Sequence, residues 1–281
     1  MQASCDRPLN MSGERSVPGS GLDASLSALD SIIETCRSDR SVIGVFPAMY
    51  RAVTASIQHG LQTGFFEDSE MLEVLAVTFA DRYLVAYEQM RNGRRPTESW
   101  AVAFEAATDR RRRTVAQHLL AGMNAHISLD LGIVTAAVPS RDLTVLHRDY
   151  LKVNDILFSR LDNLQSRMGM VSPRMAITDR LGGRFDEYLM RTAIHEARDR
   201  AWELSLELRT RPDDYDKLVE KRDEETAELS RHILGRHALV RFAGRLLAHG
   251  EPGEIRTVID AVAQDGVPVS GSNPGRSEEE R

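Results

Sequence analysis

Four residues at a spacing of four stand out in one apolar segment of the chain: His118, Gly122, His126 and Asp130. Residues four apart lie one above another on a helix, so this spacing predicts a single ridge. The apolar residues that point in about the same direction are Val115, Leu119, Met123, Leu129 and Ile133. Burying an imidazole and a carboxylate costs several kcal/mol unless each is paired or bound to a metal. The pattern therefore indicates a polar site on a buried face.

Gly122 separates the two histidines of this ridge. A glycine inside a helix costs roughly 0.5–1 kcal/mol relative to alanine, and it leaves room for a ligand or a neighbouring backbone. Two interpretations stay open. Gly122 contributes to a substrate pocket, or it is a helix-packing contact beside a structural His126–Asp130 hydrogen bond.

Residues 143–164 form a second apolar segment with the same anomaly, because His147 and Asn154 fall on its apolar face. Asp149 and Asp155 are expected at the edge of that face or outside it. Two helices joined by a short loop are normally antiparallel neighbours, so the polar residues of both segments are expected to share one cavity. The expected catalytic residues are His126, Asp130, His147 and Asn154.

A third segment, the helix expected after Asp186, carries four polar or aromatic residues beside an apolar stripe: Arg191, His195, Arg198 and Trp202. One interpretation is a cationic and aromatic wall for an anionic or π-rich substrate. The other places Trp202 in the core and the arginines in solvent. Taken together, the candidate substrate-binding residues of the chain are Gly122, Tyr150, His195, Arg198 and Trp202.

A divalent metal would compensate for the buried polar groups of the first segment. The candidate ligands are His118, His126 and Asp130, and imidazole and carboxylate ligands on bundle helices suit iron, manganese or zinc. The segment lacks Glu-x-x-His and His-Glu-x-x-His, which argues against di-iron carboxylate and zincin sites. Without a metal, His126 oriented by Asp130 would act as a general acid/base in a cyclisation, isomerisation or hydrolysis. Lyase, cyclase, hydrolase and oxygenase chemistry on a small organic substrate all stay open.

Two further function classes follow from the sequence. Asn154-Asp155-Ile156 with Asp162 is similar to part of the second magnesium motif of terpene cyclases, although Phe158 stands where a hydroxyl is expected and Asp213-Asp214 falls in a loop. The other class is a non-catalytic helical module that binds a ligand or a partner. No Gly-x-Ser-x-Gly, catalytic cysteine block or phosphate loop is present in the sequence, so covalent serine or cysteine catalysis and nucleotide hydrolysis are disfavoured.

The elements that must position these residues are helices, because apolar residues recur at three and four with almost no strict alternation. We therefore expect an all-α, single multi-helix bundle. The Ser-, Gly-, Pro-, Arg- and Glu-rich ends, residues 1–21 and 265–281, are expected to be disordered tails around a domain at 22–264. Helices are predicted near residues 23–37, 47–62, 68–91, 97–108, 112–135, 142–168, 184–209, 222–248 and 254–263.

Charge and composition limit the partners. The 36 basic and 42 acidic residues give a formal charge of −6, which argues against a nucleic-acid binder. Arg110–Arg113 is a local positive run that would contact a phosphate or partner, or simply face water. The polar start and the lack of a long uninterrupted apolar run predict neither a membrane span nor a signal peptide. Cys5 and Cys36 cannot form a disulfide framework, so a cytoplasmic location is expected.

The string His118-Leu-Leu-Ala-Gly-Met-Asn-Ala-His126-Ile-Ser-Leu-Asp130-Leu resembles a motif of an actinobacterial family known only as a domain of unknown function. The same resemblance extends to Asp149-Tyr150, Val153-Asn154-Asp155, Arg198 and Ala201-Trp202. It spans most of residues 40–250. The resemblance implies a helical domain whose characteristic residues are those named above, and it implies no particular reaction or cofactor.

Overall fold

The computed structural model describes residues 19, 21–109, 114–140, 142–171, 173–235 and 255–263, with the side chains of 161–190 left undescribed. The regular elements of these ranges are helical and none of them is a strand, which confirms the predicted all-α fold. Most of both predicted tails and the whole Arg110–Arg113 run lie outside the described residues.

The described helices are α1 (Leu22–Ser38), α2 (Val45–Gln62), α3 (Ser69–Arg91), α4 (Glu98–Thr108), α5 (Val115–Ala125), α6 (Leu131–Ala137), α7 (Leu143–Val171), α8 (Pro173–Thr210), α9 (Tyr215–Leu234) and α10 (Ile255–Ala263). A π-helical turn, His126–Asp130, joins α5 to α6 without a break. We call this continuous element, Val115–Ala137, the central helix.

Local hydrogen bonds and backbone conformation define several helix ends. The Asp68 side chain caps α3 by accepting a hydrogen bond from the Met71 amide at 3.0 Å. Asn92 ends the same helix, and Gly93 follows it with φ of +68°, a conformation that glycine adopts without strain. Thr114 and Gln117 form a capping box at the start of the central helix.

Three predicted boundaries are wrong. One helix was predicted over residues 222–248, but α9 ends at Leu234. The gap expected between residues 168 and 184 is helical backbone apart from the undescribed residue 172, and α9 begins at Tyr215 instead of 222. The first turns of α9 are mostly exposed, with only Leu218 and Val219 packed on a small apolar cluster. A helix that buries so few residues gives a weak periodic signal, which explains the missed start.

The central helix is buried on all sides from Ala121 to Thr135 instead of along one stripe. It is surrounded by α2, α3, α4, α8 and α9. The helix is long and apolar enough to cross a membrane, but 83% of its most apolar window is buried inside the protein. Packing within the bundle therefore accounts for its apolar composition.

The buried apolar residues form one main core and one small cluster. Leu129 and Ile133 belong to the small cluster, where they meet Leu204 and Leu208 of α8. The sequence interpretation placed these two residues on one face with Met123, which instead belongs to the main core. The difference arises because a fully surrounded helix presents different residues to different neighbours.

The helix α7 packs mainly against α2, α8 and α10, and not against the central helix as the short connecting loop suggested. Tyr150, Val153 and Leu157 of α7 nevertheless share a cavity with His126 of the central helix. The cavity thus occupies the space between two helices that do not pack closely on each other.

Candidate functional site

The π turn places the polar pair of the central helix. The Leu131 amide donates to the carbonyl of His126, five residues earlier, so this turn holds one residue more than an α-turn. Such turns are rare and are frequent at functional sites. Both His126 and Asp130 lie within the turn and both are buried.

Asp130 is fully buried and accepts hydrogen bonds from three side chains on three elements. Arg82 Nε of α3 lies 2.9 Å from Oδ1, and Trp100 Nε1 of α4 lies 2.8 Å from Oδ2. His126 Nδ1 is 3.2 Å from the same Oδ2. Burial opposes ionisation, yet the hydrogen bond from His126, the positive charge of Arg82 and the Trp100 donor together hold the pKa of Asp130 below its ordinary value. The carboxylate is therefore ionised.

The His126 ring lies among aromatic side chains. It stacks on Phe79 with 3.6 Å between ring centroids, and the Tyr50 ring meets it edge-on at 4.5 Å. Burial lowers the pKa of His126 more than Asp130 raises it, so the imidazole is neutral. Because the Asp130 carboxylate is ionised and can only accept, Nδ1 of His126 carries the proton and donates the hydrogen bond to Asp130. Nε2 is then an acceptor, and it is buried without a hydrogen-bond partner in the described structure.

A cavity of about 70 Å³ lies beside this imidazole. Its wall consists mainly of apolar side chains from α2, α3, the central helix and α7, together with His126 and Arg198. Phe79 and Val153 are the two wall residues that are only half-buried, so they lie nearest to solvent. The cavity wall therefore contains one base, His126, and one cation, Arg198, among apolar side chains.

Arg198 of α8 is buried, in contrast to the interpretation in which the arginines of this helix face water. Its Nη2 donates to the Tyr150 carbonyl at 2.6 Å, and the Tyr150 hydroxyl donates to the Arg198 carbonyl at 2.7 Å. The guanidinium carbon lies 4.3 Å from the centre of the Tyr150 ring. Tyr150 and Arg198, both expected to bind substrate, therefore line the cavity together.

His147 and Asn154 do not line the cavity. The His147 ring lies 4.4 Å from the Trp202 ring, and Asn154 is buried elsewhere. Both residues are turned roughly 40–60° around the α7 axis from Tyr150, at 100° per residue. The apolar stripe of a helix is wide enough to face two neighbouring helices at once. A position on this stripe therefore did not bring His147 or Asn154 to His126.

Of the three predicted metal ligands, His126 and Asp130 contact each other, and His118 lies at a different cavity. His118 and Gly122 line a second, smaller cavity of about 20 Å³. No three His, Cys, Asp or Glu side chains in the described part of the chain are arranged to hold a metal ion. Both oxygens of Asp130 are already engaged by Arg82, Trp100 and His126.

Gly122 is a packing position. A Cβ atom added there would lie 2.9 Å from Cγ of Phe46, so the glycine admits this ring against the central helix. The Phe46 ring in turn lies 5.6 Å from the His126 ring. Gly122 thus supports the aromatic surrounding of His126 and has no access to the cavity next to it.

The remaining candidates lie apart from the cavity wall. His195 is exposed with its ring 4.7 Å from Phe158, and Trp202 is half-buried against Tyr150 at 5.3 Å. Asn154 is buried whereas Asp155 is exposed, so they do not share the face that the terpene-cyclase motif requires. The side chain of Asp162 lies outside the described residues.

Sequence reasoning missed four residues that build the site: Tyr50, Phe79, Arg82 and Trp100. One signal was available. A buried carboxylate such as Asp130 needs a positively charged partner. On α3, Arg82 lies three residues after the aromatic Phe79 and directly before the aromatic Tyr83. The sequence interpretation also placed Asp149 at an edge, whereas it is fully buried.

A family model described as "Family of unknown function (DUF5995)" matches residues 22–236. The chain belongs to this family. The DUF5995 match covers the site and nearly all of the helices described above, in agreement with the family resemblance seen in the sequence. The motif residues and the actinobacterial origin stay predictions. No curated protein and no solved structure matched the chain in the other two comparisons.

Proposed function

We propose that this DUF5995 protein is an enzyme in which His126 transfers a proton to or from a small organic molecule bound in the cavity. One observation carries the proposal: Nε2 of a neutral, fully buried imidazole has no hydrogen-bond partner in the described structure, while the ring lines a cavity. An unsatisfied buried acceptor costs about 1–3 kcal/mol, so its presence calls for an explanation. A substrate proton supplies one.

The surrounding residues suit general acid/base catalysis. Asp130 fixes the ring tautomer through Nδ1, so Nε2 is presented as the base. When Nε2 takes a proton, the imidazolium lies next to an ionised carboxylate, which stabilises it. Arg82 and Trp100 hold that carboxylate in place from two other helices. Isomerisation, elimination and cyclisation all use such a base.

The alternatives have less support. A purely structural pair explains the Nδ1–Asp130 hydrogen bond but leaves Nε2 and the cavity without a role. A metal site would need Asp130 to give up its present donors. A terpene precursor has ten or more carbon atoms, whereas a cavity of about 150 Å³ is needed for the six of benzene, so a 70 Å³ cavity is too small for it.

A second candidate is a non-catalytic binding module for a small molecule in the cytoplasm. The nearly complete apolar lining of the cavity favours it, because such a wall binds an apolar ligand without any chemistry. Nucleic acid and membrane are not proposed as partners. The two candidates differ in whether His126 is needed for binding or for turnover.

The test is consumption of compounds from a mixture of small organic metabolites, followed by mass spectrometry. Full-length wild type is compared with His126→Gln, whose amide can still donate to Asp130, and with His59→Gln, a control at an exposed histidine. Circular dichroism and melting confirm that each variant is folded. We expect wild type and His59→Gln to convert at least one compound that folded His126→Gln leaves unchanged. Equal conversion by all three proteins would contradict the proposal, and binding without conversion would favour the binding module.

A further inference from the structure

We propose that the cavity binds short-chain monocarboxylates and that Arg198 is the residue that contacts the carboxylate. The inference rests on the proposed function, because it names the class of molecule that His126 would act upon. The position of the Arg198 side chain supports it. Its experiment can fail while the experiment on the proposed function succeeds.

The guanidinium of Arg198 is held in place by uncharged groups. Arg198 is 4% exposed, donates through Nη2 to the Tyr150 carbonyl and lies against the Tyr150 ring. The hydroxyl of Tyr150 returns a hydrogen bond to the Arg198 backbone. These contacts fix the position of the charge, and none of them neutralises it.

The carboxylate that acts on Arg198 electrostatically among the described side chains is the exposed Asp199, which forms no direct ion pair with it, and Arg198 Nε is buried there without a hydrogen-bond partner. Burial lowers the pKa of Arg198, yet a guanidinium stays protonated in proteins. A buried charge without a countercharge is costly. The other arginine near the site, Arg82, has its countercharge in Asp130.

The charges at the cavity define the ligand. Arg82 and Asp130 neutralise each other and His126 is neutral, so among the described side chains of the cavity wall the excess is the positive charge of Arg198. Asp199, the acidic neighbour of Arg198 in sequence, is exposed and is not part of that wall. One carboxylate would balance it and could accept two hydrogen bonds from the planar guanidinium. The rest of the wall is apolar, which suits an alkyl group.

The size of the cavity limits the length of that alkyl group. A cavity of about 150 Å³ binds benzene, so a volume of 70 Å³ accommodates only about three or four non-hydrogen atoms. Acetate and propionate are the acids nearest to that size. Long fatty acids and dicarboxylates exceed the space or the charge.

Arg198 also joins α7 to α8 through Tyr150. If this structural role were its only role, the expected effect of replacing it would differ from that of a carboxylate-binding residue. A purely structural arginine changes stability when it is replaced and has no effect on which ligand is preferred. Arg209 provides the matched control, because it is a partly buried arginine that donates to the Thr135 and Val138 carbonyls at 2.6 and 2.7 Å and lies outside the cavity wall.

The experiment is calorimetric titration of the full-length protein near pH 7 with propionate, its neutral isostere propionamide, and the cation propylamine. Wild type and Arg209→Met should bind the acid about tenfold or more tightly than the amide, and should not bind the amine. Arg198→Met should bind acid and amide equally, within about threefold, and Arg198→Lys should keep part of the preference.

A second measurement needs no variant, in case Arg198→Met does not fold. Propionate should shift the Nε–H nuclear magnetic resonance of Arg198 in the wild-type protein, and propionamide should leave it in place. Equal affinity of wild type for acid and amide, or an acid preference that survives in folded Arg198→Met, would overturn the carboxylate assignment.

Failure of this inference is distinguishable from failure of the proposed function. His126→Gln should retain the acid preference, because Arg198 is intact. Turnover that depends on His126 but uses an uncharged substrate would overturn only the carboxylate site. Acid binding without any His126-dependent turnover would support the site and contradict the enzyme.

Discussion

Asp130 organises the polar site at the scale of single residues. Its carboxylate accepts hydrogen bonds from side chains of α3, α4 and the π turn, so it links three elements at one point. It also decides which nitrogen of His126 is free. Removing its charge is therefore expected to affect both stability and the imidazole.

We predict that Asp130→Asn lowers the free energy of unfolding by about 3 kcal/mol, because a half-buried Arg82 loses its countercharge. This is the lower end of the range for broken buried pairs, since Arg82 retains some contact with water. Urea denaturation measures the effect, with Asp155→Asn as the exposed control. A loss of less than about 0.5 kcal/mol, the range of ordinary surface substitutions, would contradict this role of Asp130.

The sequence predicted part of this residue-level picture. Burial of His126 and Asp130 follows from their position among apolar residues at helical spacing, and the structure confirms it. Their partners on α3 and α4 could not be predicted, because periodicity shows which face of a helix is buried and not which helix covers it. The same limit explains why Asn154, although buried, lies away from the cavity wall.

At the scale of elements, glycine permits the aromatic packing that isolates His126. Gly122→Ala should destabilise the protein by about 1–2 kcal/mol, because a clash with Phe46 outweighs the better helix propensity of alanine. Adding Phe46→Leu should reduce that cost, as measured by urea denaturation of the two single variants and the double variant. A stabilised Gly122→Ala would show that propensity dominates and that the contact is loose.

A second element-scale feature is the cap that α7 provides for α3. The fully buried Asp149 accepts hydrogen bonds from the Glu67 and Asp68 amides at 2.9 and 2.8 Å. We predict that Asp149→Ala lowers the free energy of unfolding by about 2–3 kcal/mol, since charge-assisted hydrogen bonds are lost and two amides are left unpaired. Propionate affinity of the folded variant should not change. A change of affinity beyond about threefold would place Asp149 in the binding site.

The all-α class and some of the helix ends were readable from the sequence, whereas the π turn was not. Caps such as Asp68 and Thr114 act through local hydrogen bonds, so their signals lie within a few residues. A π turn requires one extra residue that the surrounding packing must accommodate, and the string His126–Asp130 shows no local sign of it.

At the scale of the whole molecule, burial of His126 links stability to pH. The pKa of His126 is lowered in the folded protein, so below about pH 6.5 the unfolded chain takes up a proton that the folded chain does not. Stability should fall from that pH downward, by up to about 1.4 kcal/mol per pH unit, until the folded pKa is reached. Asp130, whose pKa is also lowered, should add a loss below about pH 4.

The first of these losses belongs to His126 and should be reduced in His126→Gln. Urea denaturation between about pH 7 and pH 5 measures it as the difference in slope between the two proteins. His59→Gln, at an exposed position, should follow the wild-type slope. Equal slopes for wild type and His126→Gln would mean that His126 titrates alike in the folded and unfolded states.

The state of the His126 ring in the folded protein is the central claim, since both the base and its position depend on it. Nitrogen-15 magnetic resonance of the labelled imidazole in the full-length protein measures that state directly. We predict a neutral ring at pH 7, protonated at Nδ1 and unprotonated at Nε2, that stays neutral below about pH 6.5. A ring protonated at Nε2, or one that becomes charged at or above pH 6.5, would contradict the account.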